Sequence, residues 1–566
     1  MPGTDTYLGL RAFVDELVRC GLRDACTSPG SRSTPLALTL AREPRLRATS
    51  HIDERCAAFF ALGLAKATGL PAVLACTSGT AAANYAPAVI EAYEARVPLL
   101  ILTADRPPEL RELGAGQTID QVKLFGGAAK WFVEVDDHPA SAARVRWLRQ
   151  LACRAFYTAL DGRPGPVHLN FSLREPLVPD GDLPETEIVP GRAGGRPWVT
   201  RPPALQAPSP RLLDGLLEEL RERRTIVVAG RAERDPHLGA AIAAFAERAG
   251  APLLAEPLSG ARRGAAAIAH YDAFLRDPDW PHAPELILRV GDLPTSKPLR
   301  TWLAASDALQ VALGPDWQDP AQVVGTISPA DPRATLQALT ERLPRPKGDW
   351  LQTWRAADRA AERAIARTVG PTGLTEPRIA AELGTLLPPE ATLVVASSMP
   401  IRDVETFFPL RETPFRVLAN RGANGIDGTV STAFGVAAAG HGPTVLTIGD
   451  VALAHDVGGL LAASRLGLKL VIVLIDNDGG GIFHFLPVSG EGDAFVEHVA
   501  TPHGLDFAHA AALYGCGYER VADVDAFRAA LARALAADRT TIVCARTDRE
   551  RNVELHREVW EAVRAR

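Results

Sequence analysis

Short, wholly apolar runs recur along the chain, each separated from the next by sequence with helical periodicity. Rich in Val, Ile and Leu, they include Ala72–Cys76, Pro98–Thr103, Thr225–Ala229, Glu285–Val290, Thr392–Ala396, Thr444–Ile448, Leu468–Ile475 and Thr541–Cys544. A run with no alternating polar position predicts a strand buried on both faces, which is the environment of a parallel strand covered by helices. The stretches between, such as Asp53–Ala67 and Asp456–Leu466, are long enough to serve as βαβ crossovers. The pattern therefore predicts an α/β protein of doubly wound parallel sheets.

Two interruptions divide the pattern. Glu175–Pro210 is crowded with Pro and Gly and lacks a helical period, so it reads as a linker. A second break at Leu343–Trp350 precedes an Ala/Arg-rich helix over Thr353–Arg367. Three domains are expected, at residues 1–180, 205–345 and 355–566, with the first and third similar in architecture. A chain of 566 residues is long enough for three.

Composition mainly excludes. Hydrophobic residues at 47% and charged residues at 23% are ordinary for a globular protein. A net charge of −6 and a pI near 6.2 provide no basic field, which argues against a nucleic-acid partner. No apolar run approaches the roughly 20 residues of a membrane span, and Met1–Leu17 carries Asp5, Arg11, Asp15 and Glu16 in place of a signal peptide's apolar region. Seven scattered cysteines without a CxxC pair fit a reducing compartment. A cytoplasmic location is the expectation.

In open α/β sheets ligands bind beyond the carboxyl ends of the strands. Here the runs finish in polar or glycine residues: Thr103-Ala104-Asp105-Arg106, Ser397-Ser398, Gly449-Asp450 and Asp476-Asn477-Asp478-Gly479. Asp450 and Asn477 stand 27 apart (477 − 450), so one helix and one strand would bring both to neighbouring strand ends. A carboxylate, an amide oxygen and the Gly479 carbonyl are hard oxygen ligands, suited to a Mg²⁺ ion that shares its octahedron with phosphates. Gly449 and the Gly479-Gly480-Gly481 run would let backbone approach a diphosphate closely. Either piece alone could equally be a tight turn after a strand. The pair at this spacing resembles the thiamine-diphosphate signature, with Val451 in the usual place of its final glycine. Neither GxGxxG after a strand nor GxxxxGK[ST] is present to support another nucleotide fold.

Thiamine chemistry also needs a carboxylate on the aminopyrimidine ring, and Glu54, within Ser50-His51-Ile52-Asp53-Glu54-Arg55, sits where these enzymes place it. A lone Glu in a first helical turn equally complements the helix dipole, so its weight comes from its company. That company includes Ser28-Pro29-Gly30-Ser31-Arg32, Thr77-Ser78-Gly79-Thr80, Ala104-Asp105-Arg106-Pro107-Pro108-Glu109-Leu110, Gly116-Gln117, Ser397-Ser398-Met399-Pro400-Ile401-Arg402, Asn420-Arg421-Gly422-Ala423-Asn424-Gly425-Ile426-Asp427-Gly428 and Gly480-Gly481-Ile482-Phe483. Together these motifs closely resemble the SEPHCHC synthase family of menaquinone biosynthesis, across nearly the whole chain and most weakly in its middle.

The resemblance implies decarboxylation of 2-oxoglutarate on thiamine diphosphate, loss of CO₂, and 1,4-addition of the succinyl carbanion equivalent to isochorismate. It also implies Mg²⁺ or Mn²⁺ held by Asp450, Asn477 and Gly479. Cofactor contacts would come from Glu54, Ser398, Gly449, Ile482 and Ile426, the last propping the cofactor in a bent V shape. Both substrates are dicarboxylates, so the site should be rich in the planar forks of arginine. By position, Ser398, Arg402 and Arg421 belong to the 2-oxoglutarate side. Ser31, Arg32, Arg106, Gln117 and Lys297 belong to the isochorismate side, although some relatives carry a basic residue after the lysine where this chain has Pro298. Phe483 and Ile482 form an apolar wall, and His51, His455 and His484 receive no catalytic role. In this superfamily the glutamate of one subunit meets the diphosphate site of another, which implies a homodimer as the minimal active unit and a homotetramer as the assembly. A second thiamine-dependent reading, an acetolactate-synthase-like or other 2-oxoacid enzyme, shares the anchor and the glutamate but needs no such arginine set. A non-catalytic metabolite-binding scaffold would tolerate loss of Glu54.

Overall fold

All eight apolar runs form strands of three six-stranded sheets in the computed structural model, which describes residues 2–565 apart from 180, 185–186, 234, 345–347 and 372. The domain limits expected at 180 and 345 lie outside the described residues, as does part of the Leu343–Trp350 break. The first sheet contains β1 (Asp24–Thr27), β2 (Arg47–Ser50), β3 (Ala72–Cys76), β4 (Leu99–Asp105), β5 (Trp131–Val135) and β6 (Pro166–Ser172), in the order β2-β1-β3-β4-β6-β5. The second holds β7 (Thr225–Ala229), β8 (Leu253–Ala255), β9 (Ala267–Ile268), β10 (Leu286–Val290), β11 (Leu309–Leu313) and β12 (Thr326–Ser328), ordered β12-β11-β10-β7-β8-β9. The third holds β13 (Thr392–Val395), β14 (Arg416–Leu418), β15 (Thr444–Gly449), β16 (Val471–Asp476), β17 (Gly517–Val521) and β18 (Thr541–Arg546), ordered β14-β13-β15-β16-β18-β17.

Every strand pair is parallel. Numbered within each sheet, the first and third share the order 2-1-3-4-6-5, while the middle one reads 3-2-1-4-5-6, the order common in dinucleotide-binding folds. The chain reverses direction between β1 and β3 and again between β13 and β15. Crevices therefore open beyond Thr27 and Cys76 in the first sheet, and beyond Val395 and Gly449 in the third.

Strands that carry polar residues escape an apolar-run reading. In β6, His168 and Asn170 are fully buried, and Thr103 Oγ1 bonds both, at 2.8 Å from His168 Nε2 and 2.7 Å from Asn170 Oδ1. The crossover expected over Asp456–Leu466 is also modified: it begins as a 3₁₀ turn, Val457–Leu460, before the α-helical Leu461–Arg465. Gly458 and Gly459 weaken α-helix there, and a Cβ at Gly459 would stand 2.6 Å from Ser431 Oγ. The described residues of 175–209 are irregular apart from a short 3₁₀ turn and are strapped to the first domain: Arg149 Nε donates to the Val189 carbonyl, and Arg19 Nη1 to that of Arg192.

Three helices position the site: α1 (Glu54–Thr68), α2 (Glu376–Leu386) and α3 (Thr429–Ala438). The Asp53 carboxylate caps α1 by accepting the N–H groups of Arg55 and Cys56, and Gly69 ends it in the left-handed region. α1 crosses α3 with the two backbones in direct contact. A Cβ on Gly63 would lie 2.0 Å from the Thr432 carbonyl oxygen, and one on Gly435 would lie 2.0 Å from that of Phe60. Phe59, Phe60 and Leu64 share one core with Val430, Ala433 and Phe434, so the first and third domains are fused through this crossing. Asp456, fully buried, ties its ends together by accepting the Ser431 N–H at 2.8 Å and facing Cys56 Sγ at 3.7 Å.

Candidate active site

At the β15 and β16 strand ends, Asp450 opens a short helix, Asp450–His455, and is 1% exposed. Its Oδ2 accepts the N–H groups of Asn477 (3.0 Å) and Gly479 (3.1 Å), while Oδ1 accepts that of Val451 at 2.7 Å. Burial pushes this carboxyl above its ordinary value, and the N–H donors and His503 pull it back. Asp478 and Gly479 both have positive φ, +60° and +138°, and a Cβ on Gly479 would stand 2.4 Å from the Ala500 carbonyl oxygen. The turn that brings Asn477 and Gly479 over Asp450 therefore requires glycine.

Asn477 supplies the test of a cation site. Its Nδ2 donates to Glu376 Oε1 at 2.8 Å, whereas its Oδ1 is buried without a partner. A buried acceptor left unpaired costs about 1–3 kcal/mol. An unpaired amide oxygen beside a buried carboxylate and a strained glycine turn is a donor set that fits a hard divalent cation. These residues also supply what a diphosphate needs, with Gly449 at the start of the Asp450 helix.

Beyond β13 and β14, Ser398, Arg402 and Arg421 come together. Ser398 adopts φ +75° as it leads into the helix Met399–Phe407, and its carbonyl accepts from Arg402 Nη1. Arg421 Nη1 donates to Ser397 Oγ at 3.3 Å, and its Nε is buried without a partner. Burial and the neighbouring Arg402 guanidinium hold Arg421 down at about 10. Arg402 is lowered by burial and by Arg300. Neither arginine is ion-paired among the described residues, so this pocket concentrates positive charge without a counter-ion in contact. Ile426 lies half-buried in the same 420–428 loop, whose Gly422 and Ala423 N–H groups are gripped by the Glu91 carboxylate at 2.8 and 2.6 Å.

The first domain holds a second basic group. Arg106 Nη1 donates to the Gln117 carbonyl at 3.0 Å and to Ser78 Oγ, and Gln117 Nε2 donates to the Ser78 carbonyl at 2.9 Å. Burial and the adjacent Arg32 lower Arg106. Arg32 itself bonds the Leu173 carbonyl (3.0 Å) and Glu175 (3.2 Å), and Ser31 beside it is exposed. Glu54, half-buried at the start of α1, is raised by burial, while hydrogen bonding to Asn84 works against that rise. His51 is lowered to about 4 by burial and packs on the Phe60 ring, so it is neutral near pH 7.

Lys297 is exposed in the first turn of the helix Lys297–Ala305, one turn before Arg300. Ile482 is half-buried and Phe483 37% exposed on the 3₁₀ turn Gly481–Phe485, beside the Asn477 turn. The structure thus gathers the predicted residues into three groups: the Asp450–Asn477–Gly479 turn, the Ser398–Arg402–Arg421 pocket and the Arg32–Arg106–Gln117 cluster. Four neighbours were missed. Glu376 and His503, whose Nε2 is 3.3 Å from Asp450 Oδ2, come from segments with no motif. Arg300 lies three residues past Lys297, and Ser78 lies within the Thr77-Ser78-Gly79-Thr80 motif.

Parallel doubly wound domains, a strand-end carboxylate and amide, and a glutamate at the head of a helix define a thiamine-diphosphate-type enzyme. Matching family models describe residues 9–124 as the N-terminal TPP-binding domain of thiamine pyrophosphate enzymes, 194–395 as their middle domain and 402–545 as their C-terminal TPP-binding domain. The chain is 43% identical to 2-succinyl-5-enolpyruvyl-6-hydroxy-3-cyclohexene-1-carboxylate (SEPHCHC) synthase of Chloroflexus aurantiacus, over 98% of this chain and 95% of that one. It is 42% identical to the synthases so named of Halobacterium salinarum (97% and 96% covered) and Geobacillus thermodenitrificans (98% and 95%). The chain belongs to the SEPHCHC synthase family.

Proposed function

We propose that the chain decarboxylates 2-oxoglutarate on thiamine diphosphate and transfers the resulting four-carbon unit to isochorismate by 1,4-addition, releasing CO₂. The observation that carries this reading is the Arg402–Arg421 pair, two neighbouring guanidinium groups that lack an ion-pair partner among the described residues, the half-buried Arg421 keeping a buried, unpartnered Nε. Two like charges held together, one of them partly desolvated, call for an anionic occupant. A pyruvate-specific enzyme has no use for two.

When bound, the cofactor supplies the electron sink for decarboxylation. Asp450, Asn477 and the Gly479 carbonyl would hold Mg²⁺ or Mn²⁺ against its diphosphate, with Gly449 and Ile482 lining it and Ile426 propping it. Glu54 would hydrogen-bond the aminopyrimidine. Burial favours its protonated form, which is the form able to donate a proton there. Ser398, Arg402 and Arg421 would orient the carboxylates of 2-oxoglutarate. Ser31, Arg32, Arg106, Gln117 and Lys297 would orient isochorismate, with Phe483 screening the reacting carbon from water.

The assignment of a pyrimidine-binding role to residues 1–180 and a diphosphate-binding role to 355–566, with 205–345 between them, belongs to the same proposal. So does assembly as a homodimer or homotetramer in which Glu54 serves a neighbouring subunit; Ile52 beside it is 60% exposed, leaving apolar surface for a second copy to cover. A cytoplasmic location fits seven free thiols. No helix among the described residues is long and apolar enough to cross a membrane.

The test is an assay with isochorismate, 2-oxoglutarate, thiamine diphosphate and Mg²⁺, the product identified by mass. Preference for pyruvate over 2-oxoglutarate in decarboxylation would overturn the proposal.

A further inference from the structure

Glu376 is the second residue of this site that no motif announces. It opens α2, is 1% exposed, and lies 101 positions from Asn477, whose Nδ2 it accepts at 2.8 Å. The same oxygen accepts Thr547 Oγ1 at 3.1 Å, and the other accepts Asn552 Nδ2 at 3.0 Å. Three donors from three segments thus pin one carboxylate. Behind it, Asp403 accepts from or donates to His556 Nε2 at 3.0 Å, and His556 Nδ1 sits 2.8 Å from the Asn552 carbonyl, so the pinning residues are themselves braced.

The consequence falls on the amide of Asn477. An asparagine side chain can present either its oxygen or its NH₂ in a given direction, and a metal accepts only the oxygen. With Nδ2 committed to Glu376, Oδ1 must face the other way, and there it is buried and unpartnered. Gly481 leaves the amide the room it occupies: a Cβ there would stand 2.8 Å from Asn477 Nδ2.

We propose that Glu376 is a positioning residue that sets the rotamer of Asn477 and presents its Oδ1 to the divalent cation. The inference rests on the metal-binding reading of Asp450 and Asn477. Its effect is geometric, because the carboxylate acts through the amide hydrogen and does not itself touch the cation. Residues that orient metal ligands in this way are worth about 10–100-fold in metal affinity.

Two conservative changes separate orientation from charge. Glu376→Gln keeps the length and an acceptor oxygen for Asn477 but removes the charge; Asn552, whose Oδ1 is also unpartnered, can turn to accept from the new amide. Glu376→Asp keeps the charge but stops about 1.5 Å short of the amide, roughly one carbon–carbon bond. Mn²⁺ binding to the full-length protein with saturating thiamine diphosphate is read from the free-ion EPR signal, and Asp450→Ala serves as the control. Orientation predicts that Glu376→Gln binds Mn²⁺ within about threefold of the native protein and Glu376→Asp at least tenfold more weakly. Long-range attraction by the carboxylate predicts the reverse order. The proposal is overturned if Glu376→Asp retains native affinity, or if Glu376→Gln loses as much as Glu376→Asp. If Asp450→Ala also leaves Mn²⁺ binding unchanged, the metal reading itself fails; if Asp450→Ala abolishes binding while Glu376→Asp does not, only the role of Glu376 fails.

Discussion

Gly63→Ala tests whether the α1–α3 crossing holds the catalytic carboxylate in place. The new Cβ would stand 2.0 Å from the Thr432 carbonyl oxygen and 3.1 Å from the Gly435 Cα. Carbon–oxygen contacts settle at about 3.3 Å, so the helices must separate by about 1.3 Å. The obstacle is backbone, which cannot rotate away as a side chain would. Overpacking of this kind costs about 1–3 kcal/mol, and alanine returns about 1 kcal/mol in helix propensity, leaving a net loss of up to about 2 kcal/mol. The larger effect should be on activity. Glu54 lies nine residues up the same helix (63 − 54), and a displacement of about 1 Å at a catalytic group costs on the order of 100-fold in rate. Thermal unfolding and steady-state kinetics of the cofactor-loaded enzyme measure both. The control is Gly215→Ala, in the helix Pro210–Glu222, where a Cβ meets nothing within 4 Å; it should raise the unfolding midpoint and leave turnover alone. Native turnover and native stability in Gly63→Ala would refute the reasoning, because a Cβ 2.0 Å from the Thr432 carbonyl oxygen would then not have displaced the crossing.

Glu54→Gln should retain thiamine diphosphate while turnover falls by about 10²–10⁴; near-normal activity would remove Glu54 from catalysis. Asp450→Ala should weaken Mg²⁺-dependent cofactor binding far more than it lowers the melting temperature of the cofactor-free protein, and calorimetry showing unchanged affinity would reject the anchor. Arg402→Ala should raise KM for one dicarboxylate roughly 10–100-fold, the worth of a charged hydrogen bond; unchanged KM for both would exclude it from the site. Asp456 has its pKa raised by burial from 3.8 to about 6. The folded state therefore keeps a proton that the unfolded chain has lost, and the contribution of Asp456 to stability falls as pH rises from about 4 to about 6. Denaturant titrations should show that part of the slope missing in Asp456→Asn, and equal slopes in the two proteins would disprove the shift.

The sheet architecture was legible because strands covered on both faces must be apolar throughout, and eight such runs sufficed to reveal parallel sheets. Strands that bury polar residues were not legible in this way. β6 reads as mixed until Thr103, on the adjacent strand, is seen to bond His168 and Asn170. The crossover after Asp456 was placed correctly but not its 3₁₀ start, because close packing of Gly459 on Ser431 is a tertiary event. The Asp450–Asn477 spacing was readable since one helix and one strand separate neighbouring strand ends, which is local geometry.

From sequence alone came the parallel sheets, the strand-end residues and the motifs that mark the family, all of which depend on short-range periodicity and spacing. Tertiary structure alone decided which of those residues meet and in what electrical state. Arg402 and Arg421 are 19 residues apart in the chain (421 − 402), yet only their meeting beyond β13 and β14 makes them an uncompensated pair. Glu376 is an ordinary first-turn acid until the fold sets it against Asn477. The division has a physical cause: hydrophobic period is written residue by residue, whereas desolvation and hydrogen-bond direction belong to neighbours that the chain brings together only by folding.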